Sequence, residues 1–246
     1  MFDSFPKTRP QLLKEVQEIY VAHSKSNRRG ETVASSLSQR MESWLHKQVA
    51  KDVLDAQTGK VTLEIGAGTL NQLRHEPEVG PYDIVEPFKE LYEGAPDLKR
   101  IRHIYTDIAE IPGNHRYDRI TSVAAFEHIC NLPEVVAYCG LLLADDGKLR
   151  VSIPSEGTFL WALGWKLTTG LEFRIKYGLD YGMFTNYMKH EHVNTAAEIE
   201  ELLRYFFEEV ERKIFGLTAS FSLYQFYSCG GPMIERCHKF AKRSGG

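Results

Sequence analysis

The sequence predicts an α/β fold built on a mostly parallel sheet, and two patterns lead to this expectation. Between residues 60 and 154, short apolar runs alternate with connectors of helix or loop length: VTLEI, YDIVE, IRHIYTD, YDRITSV and GKLRVSIP. Such alternation is typical of parallel strands joined by crossover helices. Farther along, EVERKIFG and ASFSLYQFYS are separated by a short turn, which favours antiparallel pairing. We therefore predict a Rossmann-like, seven-stranded sheet whose last strand is antiparallel.

An N-terminal helical cap is predicted ahead of the sheet, over residues 1–56, with the main domain over residues 57–246. From Gln11 to about Ala56, apolar residues recur at helical spacing on two successive stripes. The polar stretch HSKSNRRGET, residues 23–32, separates the stripes and is predicted to be a turn. We expect the two helices to fold over the carboxyl ends of the strands.

The segment at about 156–190 breaks the alternation and is predicted to be an insertion. It is rich in aromatic residues, among them Trp161 and Trp165, and holds no long run of either periodicity. Core packing, a wall for a bound ligand, a lid and a dimer surface all remain open for it. The amphipathic stretch NTAAEIEELLRYFF follows, and Asn194 or Thr195 is placed to cap that helix.

Composition narrows the class of protein. A chain of 246 residues with 43% hydrophobic residues can bury one large core, and its net charge of -3 predicts no nucleic-acid partner. The four cysteines match neither a CxxC metal pair nor a disulfide framework, so reduced thiols are expected. The N-terminus lacks an apolar signal-peptide core, and no apolar run approaches the roughly 20 residues that span a bilayer. We expect a cytoplasmic protein without stable membrane insertion.

Glycines and acids at the strand ends predict a nucleoside site. The first strand ends near Glu64 and runs into Gly66 and Gly68, while Glu86 and Asp107 end the next two strands. In an open parallel sheet, ligands bind beyond the carboxyl ends of the strands. The glycines let the backbone turn tightly and approach a ligand. Glu86 stands twenty residues after Gly66, a spacing suited to accepting hydrogen bonds from ribose hydroxyls.

A dinucleotide is a poorer fit to this loop. A pyrophosphate-binding loop would carry its third glycine at position 71, where Asn71 stands. A ligand with an adenosine, an amino-acid tail and no pyrophosphate fits better. A nicotinamide-dependent oxidoreductase is therefore the less favoured alternative.

Over residues 60–154 the chain resembles class I S-adenosylmethionine-dependent methyltransferases. The family's first motif is matched by EIGAGT at residues 64–69, its ribose acid by Glu86 and its adenine-side acid by Asp107. The fourth strand and its loop are matched by YDRITSVAAFEHI, and the fifth strand by DDGKLRVSIP. The resemblance implies S-adenosylmethionine as cofactor. The residues that it implies for cofactor binding are Glu64, Gly66, Ala67, Gly68, Glu86, Pro87, Asp107, Ile108 and Val123.

Two positions depart from the family's pattern. The glycine often found at the third place of the first motif is Leu70, and the acid common in the fourth-strand loop is Ala124. The first departure suggests a slightly different approach of the loop to the methionine tail. At the second, Ala124 has no polar side chain to which the family's polar contacts could be assigned. Both keep open a different class of function, a protein that binds the cofactor without catalysis.

Methyl transfer to a hydroxyl also requires removal of a proton, and histidine is suited to this task. His128 follows the fourth strand, beside the expected methyl group, and the ordinary histidine pKa of about 6.5 suits a general base. His192, in KHEHVN, is the second candidate. A structural role in packing or capping is the alternative for both. HEH also offers metal-ligand types, but spacing places no further ligand beside it, so no metal is predicted.

The predicted methyl acceptor is a small molecule. The turn at residues 23–32 carries arginines, whose planar forks bind carboxylate or phosphate at two points. The candidates for acceptor binding are Tyr20, His23, Arg28 and His190. We favour O-methylation of a sugar phosphate or nucleotide sugar, since LEIGAGTLN and EPFKELYE resemble methyltransferases of surface-polysaccharide pathways. N-methylation of a small amine is the nearest chemical alternative, and a homodimer remains open.

Overall fold

The computed structural model of the chain describes residues 2–11, 36–54, 59–156, 186, 189–218 and 221–241. The helices are α1 (Ser36–Ala50), α2 (Lys89–Tyr92), α3 (Leu132–Leu142), α4 (Ala196–Phe206) and α5 (Ile234–Phe240). The strands are β1 (Thr62–Ile65), β2 (Tyr82–Val85), β3 (Ile101–Tyr105), β4 (Tyr117–Val123), β5 (Leu143–Pro154), β6 (Phe207–Gly216) and β7 (Ser222–Pro232). Single 3-10 turns span Asn71–His75, Pro96–Arg100, Ile108–Glu110 and Phe126–His128.

The seven strands form one sheet in the order β3-β2-β1-β4-β5-β7-β6. Strands β1 to β5 run parallel to one another, and β7 lies antiparallel between β5 and β6. The predicted fold class is therefore confirmed, including the antiparallel last strand. Because the chain order reverses on either side of β1, a crevice opens at the carboxyl ends of β1 and β4.

One face of the sheet packs an apolar layer against α3, α4 and α5. Its core includes Leu63, Ile65, Ile120, Leu149 and Val151 from the strands, each at most 3% exposed. Helix α4 begins at a capping box in which Thr195 and Glu198 satisfy each other's backbone N–H groups. Thr195, one of the two predicted caps, is thus the N-cap of this helix.

The opposite face of the sheet carries a buried polar layer under α1. Arg150 donates from Nε to the carbonyl of Val49 over 2.8 Å, and Ser152 donates to the carbonyl of Leu45 over 3.1 Å. Both polar side chains belong to β5, and both carbonyls belong to α1. Helix α1 is thereby held flat on β4, β5 and β7, and its apolar residues Leu45 and Val49 are buried. This helix lies within residues 1–56, over which the N-terminal cap is predicted.

Several sequence predictions fall outside the described residues. They concern the first cap helix, the turn that carries Tyr20, His23 and Arg28, and most of the aromatic insertion at about 156–190. The four cysteines all lie in the described part, where none forms a disulfide. No helix in the ranges given above combines the length and the apolar character needed to cross a membrane.

Candidate functional site

Two adjoining cavities open at the carboxyl ends of the parallel strands. The larger has a volume of about 720 Å³ and the smaller about 240 Å³. They share Gly66, Gly68 and Ala124 as common walls. Each of the nine residues predicted for cofactor binding lines one cavity or both: Glu64, Gly66, Ala67, Gly68, Glu86, Pro87, Asp107, Ile108 and Val123.

The glycine loop has a backbone that only glycine adopts without strain. Gly66 and Gly68 have φ angles of 70° and 50°, in the left-handed region that disfavours a Cβ atom. A Cβ on Gly66 would lie 2.5 Å from the Cβ of Ala125, whereas a Cβ on Gly68 would meet nothing within 4 Å. Gly66 is therefore required for packing against the fourth-strand loop. Gly68 instead leaves its open space to the cavity, where a ligand can approach the backbone closely.

Glu86 holds the glycine loop in place. Its carboxylate accepts hydrogen bonds from the backbone N–H groups of Gly68, over 2.8 Å, and Phe88, over 3.0 Å. The residue is only 4% exposed yet lines the larger cavity. Since each carboxylate oxygen can accept a second hydrogen bond, the side chain retains acceptor capacity for hydroxyls of a ligand.

Asp107 and Ile108 line the larger cavity. The Asp107 carboxylate accepts from the backbone N–H of Ala109 over 2.8 Å and so caps the short turn that begins at Ile108. Phe88 and Leu91 add an apolar surface to the same cavity, and Phe88 is 52% exposed. A flat aromatic ring exposed in this way can stack on a nucleobase. Sequence analysis missed Phe88, although its place directly after Glu86 and Pro87 was a usable signal.

The two departures from the family pattern both occupy left-handed backbone. Leu70 has a φ of 63° and Ala124 a φ of 49°, values that cost an L-residue about 1–2 kcal/mol. Leu70 thus takes the conformation in which a glycine would be unstrained. Its side chain is 1% exposed and packs with Leu73 and Tyr82, so burial offsets the backbone strain.

Glu64 lines the smaller cavity as a buried, largely protonated carboxyl group. Its Oε2 atom accepts a hydrogen bond from the Tyr82 hydroxyl over 2.9 Å. Burial raises the pKa of Glu64 to about 8, and the hydrogen bond from Tyr82 only partly opposes this effect. An approaching cationic group, such as the ammonium of an amino-acid tail, would favour the charged form and release the proton.

The raised pKa of Glu64 predicts a pH dependence of stability. The folded chain keeps a proton on Glu64 that the unfolded chain releases at its ordinary pKa near 4.5, so the free energy of unfolding decreases as the pH rises between these two values. Glu64→Gln removes this contribution. When the pH rises from 6 to 8.5, we expect the free energy of unfolding of the wild-type chain to fall by about 2 kcal/mol more than that of Glu64→Gln. Urea unfolding of both proteins measures this difference. Parallel pH profiles would refute the assignment.

His128 and His192 meet beside the larger cavity, although they are far apart in sequence. His128 lines the cavity, and its Nδ1 forms a 2.7 Å hydrogen bond with the Glu191 carbonyl. The His192 ring packs edge-on against it with a centroid separation of 4.8 Å and hydrogen bonds to the Glu156 carboxylate. Burial lowers the pKa of His192, but the bond and charge of Glu156 outweigh this effect and raise it above its ordinary value.

The N-terminal segment adds a cation at the cavity that sequence analysis did not identify. Arg9 lines the larger cavity together with His190. Its guanidinium donates to the carbonyls of His190 over 2.9 Å and His128 over 3.0 Å, while His190 Nδ1 bonds to the Pro10 carbonyl over 2.8 Å. Because these partners are remote in sequence, no local pattern indicates that Arg9 reaches the site.

In comparisons with known proteins, this chain matches solved structures. No protein-family model matches the chain, and no curated protein is similar to it in sequence. The plantazolicin methyltransferase BpumL, solved with S-adenosylhomocysteine, matches with a TM-score of 0.57 at 14% identity, over 88% of this chain and 92% of that one. The fold is that of the S-adenosylmethionine-dependent methyltransferases.

Two further solved structures share this methyltransferase fold. A methyltransferase from Thermotoga maritima matches with a TM-score of 0.54 at 16% identity, over 87% of this chain and 97% of that one. Phosphoethanolamine N-methyltransferase 2 from Haemonchus contortus, solved with S-adenosyl-L-methionine, matches with a TM-score of 0.53 at 14% identity, over 76% and 52%. The likeness spans proteins with different acceptors and therefore concerns the shared scaffold.

Proposed function

We propose that this chain is a methyltransferase that binds S-adenosylmethionine across the two adjoining cavities and methylates a hydroxyl group of a small molecule. The observation that carries the proposal is the convergence of the glycine loop, Glu86, Asp107 and His128 on one continuous site. Structures with the same fold were solved with S-adenosylmethionine or S-adenosylhomocysteine bound, which supports this choice of cofactor.

The residues of the two cavities suit the parts of this cofactor. The open space at Gly68 admits a ligand against the backbone, and Glu86 offers acceptor oxygens for the ribose hydroxyls. Asp107 and Ile108 face the adenine side, and Glu64 in the smaller cavity suits the ammonium of the methionine tail. When bound, the cofactor supplies a methyl group on a positively charged sulfur, which leaves as a neutral thioether.

His128 is the proposed general base. Its bond to the Glu191 carbonyl places the ring hydrogen on Nδ1, because a carbonyl can only accept, and so leaves the lone pair on Nε2. Nε2 would take the proton of the acceptor hydroxyl, while bound S-adenosylmethionine would supply the methyl group. The proton then passes to solvent through the 33% exposed side chain. His192, packed behind it, is the second candidate base.

Calorimetric binding of S-adenosylmethionine, S-adenosylhomocysteine and NAD tests the proposal directly. We expect micromolar binding of the first two ligands and none of NAD. Binding of NAD alone would overturn the methyltransferase assignment. Binding of S-adenosylmethionine without turnover across a broad acceptor panel would instead support a non-catalytic binding protein.

His128→Ala is expected to lower turnover by roughly 10²- to 10⁴-fold, the usual contribution of general acid–base catalysis. Cofactor affinity should stay within about threefold, because the proposed cofactor contacts lie on other residues. His238→Ala, which removes an exposed histidine on α5, is the matched control and should retain full turnover. Full activity in His128→Ala would eliminate it as the base and direct attention to His192.

We infer an anionic acceptor, such as a sugar phosphate or nucleotide sugar. Arg9 and His190 at the larger cavity support this inference, since guanidinium and imidazole groups bind phosphate oxygens. Tyr20, His23 and Arg28 remain predicted contributors outside the described residues. Activity that is unaffected by exchanging anionic for neutral acceptors would contradict the inference.

N-methylation is the second candidate reaction. Haemonchus contortus phosphoethanolamine N-methyltransferase 2, which shares the fold, is an N-methyltransferase by name. An amine that binds as the free base needs less help from His128 than a hydroxyl does. Mass spectrometry of the product, with fragmentation to locate the new methyl group, separates oxygen from nitrogen methylation.

A further inference from the structure

Three side chains with metal-ligating atoms converge where the fourth-strand loop meets the segment before α4. They belong to Glu127, His128 and His192, and their ligand atoms all lie within 4.8 Å of one another. His128 reaches the wall of the larger cavity, so the cluster stands between the buried core and the site proposed for the acceptor. Spacing does not indicate it because Glu127 and His192 come from separate parts of the chain.

Both imidazole rings are held by a hydrogen bond from Nδ1. His128 bonds through this atom to the Glu191 carbonyl, and His192 bonds through it to the Glu156 carboxylate. Metal-bound histidines almost always have such a partner on the ring nitrogen that does not bind the metal, because it fixes the tautomer and raises ligand basicity. In His128, Nε2 is the remaining nitrogen, and it lies 3.9 Å from Glu127 Oε1.

One oxygen of the buried Glu127 carboxylate is not satisfied by any described residue. The side chain is 2% exposed, and within the part of the chain that the structure describes its Oε2 atom has no hydrogen-bond partner. A buried acceptor without a partner is destabilising, and more so when it is charged. The Glu127 backbone carbonyl, by contrast, accepts from Val193 and Asn194, so the residue is fixed while its carboxylate points into the cluster.

We propose that Glu127, His128 and His192 bind one divalent transition-metal ion, with Zn²⁺ as the best match. Two imidazole nitrogens and one carboxylate form a known catalytic zinc set, which leaves a coordination position open, whereas Mg²⁺ and Ca²⁺ prefer oxygen ligands. Tetrahedral bonds of about 2.1 Å place ligand atoms about 3.4 Å apart. The ligand atoms, which lie within 4.8 Å of one another, would therefore have to approach by up to about 1.4 Å on metal binding, and the Glu127–His128 pair, 3.9 Å apart, by about 0.5 Å.

The site deepens the proposed function, on which its role rests. The open position would take an acceptor oxygen, and coordination lowers the pKa of a bound hydroxyl, whose proton is released to water. The Nε2 lone pair of His128 is then used for the ion, so the ion replaces the free imidazole in promoting proton loss. Acceptors with two neighbouring oxygens, such as a diol or a hydroxy acid, fit such a centre best.

Cobalt titration of the full chain, freed of metal by dialysis against a chelator, tests the site. We expect one equivalent of Co²⁺ to produce visible ligand-field absorption without sulfur-to-cobalt charge transfer, and Zn²⁺ to displace it. Glu127→Gln and His192→Ala should each weaken Zn²⁺ binding at least 100-fold. Glu156→Gln, which changes only the orienting carboxylate, should weaken it about 10- to 100-fold. His238→Gln, at an exposed histidine on α5 outside the cluster, is the matched control with unchanged Zn²⁺ affinity.

The same proteins are examined for S-adenosylmethionine binding by calorimetry, which also verifies their folding. Absence of stoichiometric metal binding, or wild-type Zn²⁺ affinity in both ligand variants, would overturn the metal site. If the cofactor still binds, the proposed function survives this outcome. Stoichiometric metal binding without cofactor binding would overturn the methyltransferase proposal and leave the metal site in place.

Discussion

Gly68→Ala is expected to weaken S-adenosylmethionine binding on the order of 100-fold, about 2.7 kcal/mol, in a chain that still folds. The added methyl group would project into space with no protein atom within 4 Å, which is the space proposed for the cofactor. The positive φ of 50° adds a stability loss of about 1–2 kcal/mol. Calorimetric titration of the folded variant measures the affinity.

Gly231→Ala is the matched control for this substitution. Gly231 has a φ of 62°, its added Cβ would meet its nearest neighbour at 3.4 Å, and it lies in β7 away from the cavity residues. Gly231→Ala should therefore lose about as much stability as Gly68→Ala and keep full affinity for S-adenosylmethionine. Gly66→Ala should be far less stable than either, because its Cβ would clash with Ala125 at 2.5 Å. Equal affinity of Gly68→Ala and Gly231→Ala would show that the cofactor does not approach this backbone.

Arg119→Ala is expected to destabilise the chain by about 3–5 kcal/mol, the range seen when one partner of a buried ion pair is removed. Arg119 is 1% exposed and donates to Glu76 over 2.8 Å, to Asp52 over 3.0 Å and to the Val49 carbonyl over 3.2 Å. The substitution leaves the Glu76 carboxylate buried without its cation. Urea unfolding at pH 7 measures the loss.

Two further variants separate this charge effect from the loss of packing. Arg116→Ala removes an exposed arginine just before β4 and should change stability by less than about 0.5 kcal/mol. Adding Glu76→Gln to Arg119→Ala should recover about 1 kcal/mol or more, because it removes the unpaired charge. If the double variant is only as stable as additivity predicts, packing rather than charge accounts for the effect of Arg119.

The fold and the glycine loop were predictable because their signals are local. A parallel strand buried on both faces shows as a short apolar run, and a turn that needs positive φ favours glycine, as at Gly66 and Gly68. Glu86 and Asp107 follow from the same logic, since the strand ends of one parallel sheet share an edge. Each prediction required only the neighbouring residues and the rule that such strands meet at one edge.

The neighbours of the site could not be predicted in this way. Arg9 reaches the cavity through bonds to His128 and His190, and His192 meets Glu127 only after the sheet and α4 are packed. The sequence around each of these residues is typical of a polar, solvent-exposed surface. These residues meet their partners only when distant segments of the chain pack together. The local sequence pattern around each residue does not indicate such contacts.

The sequence by itself therefore determined the sheet, the direction of its last strand and the glycine loop at the strand ends. Arg119 and Arg150 alternate with apolar residues in the sequence, as solvent-facing side chains do. Only the tertiary structure shows that both are buried beneath α1. The physical reason is hydrogen-bond satisfaction. Buried charge is tolerated only where carbonyls and carboxylates meet it, and here these come from α1 and from Glu76 and Asp52.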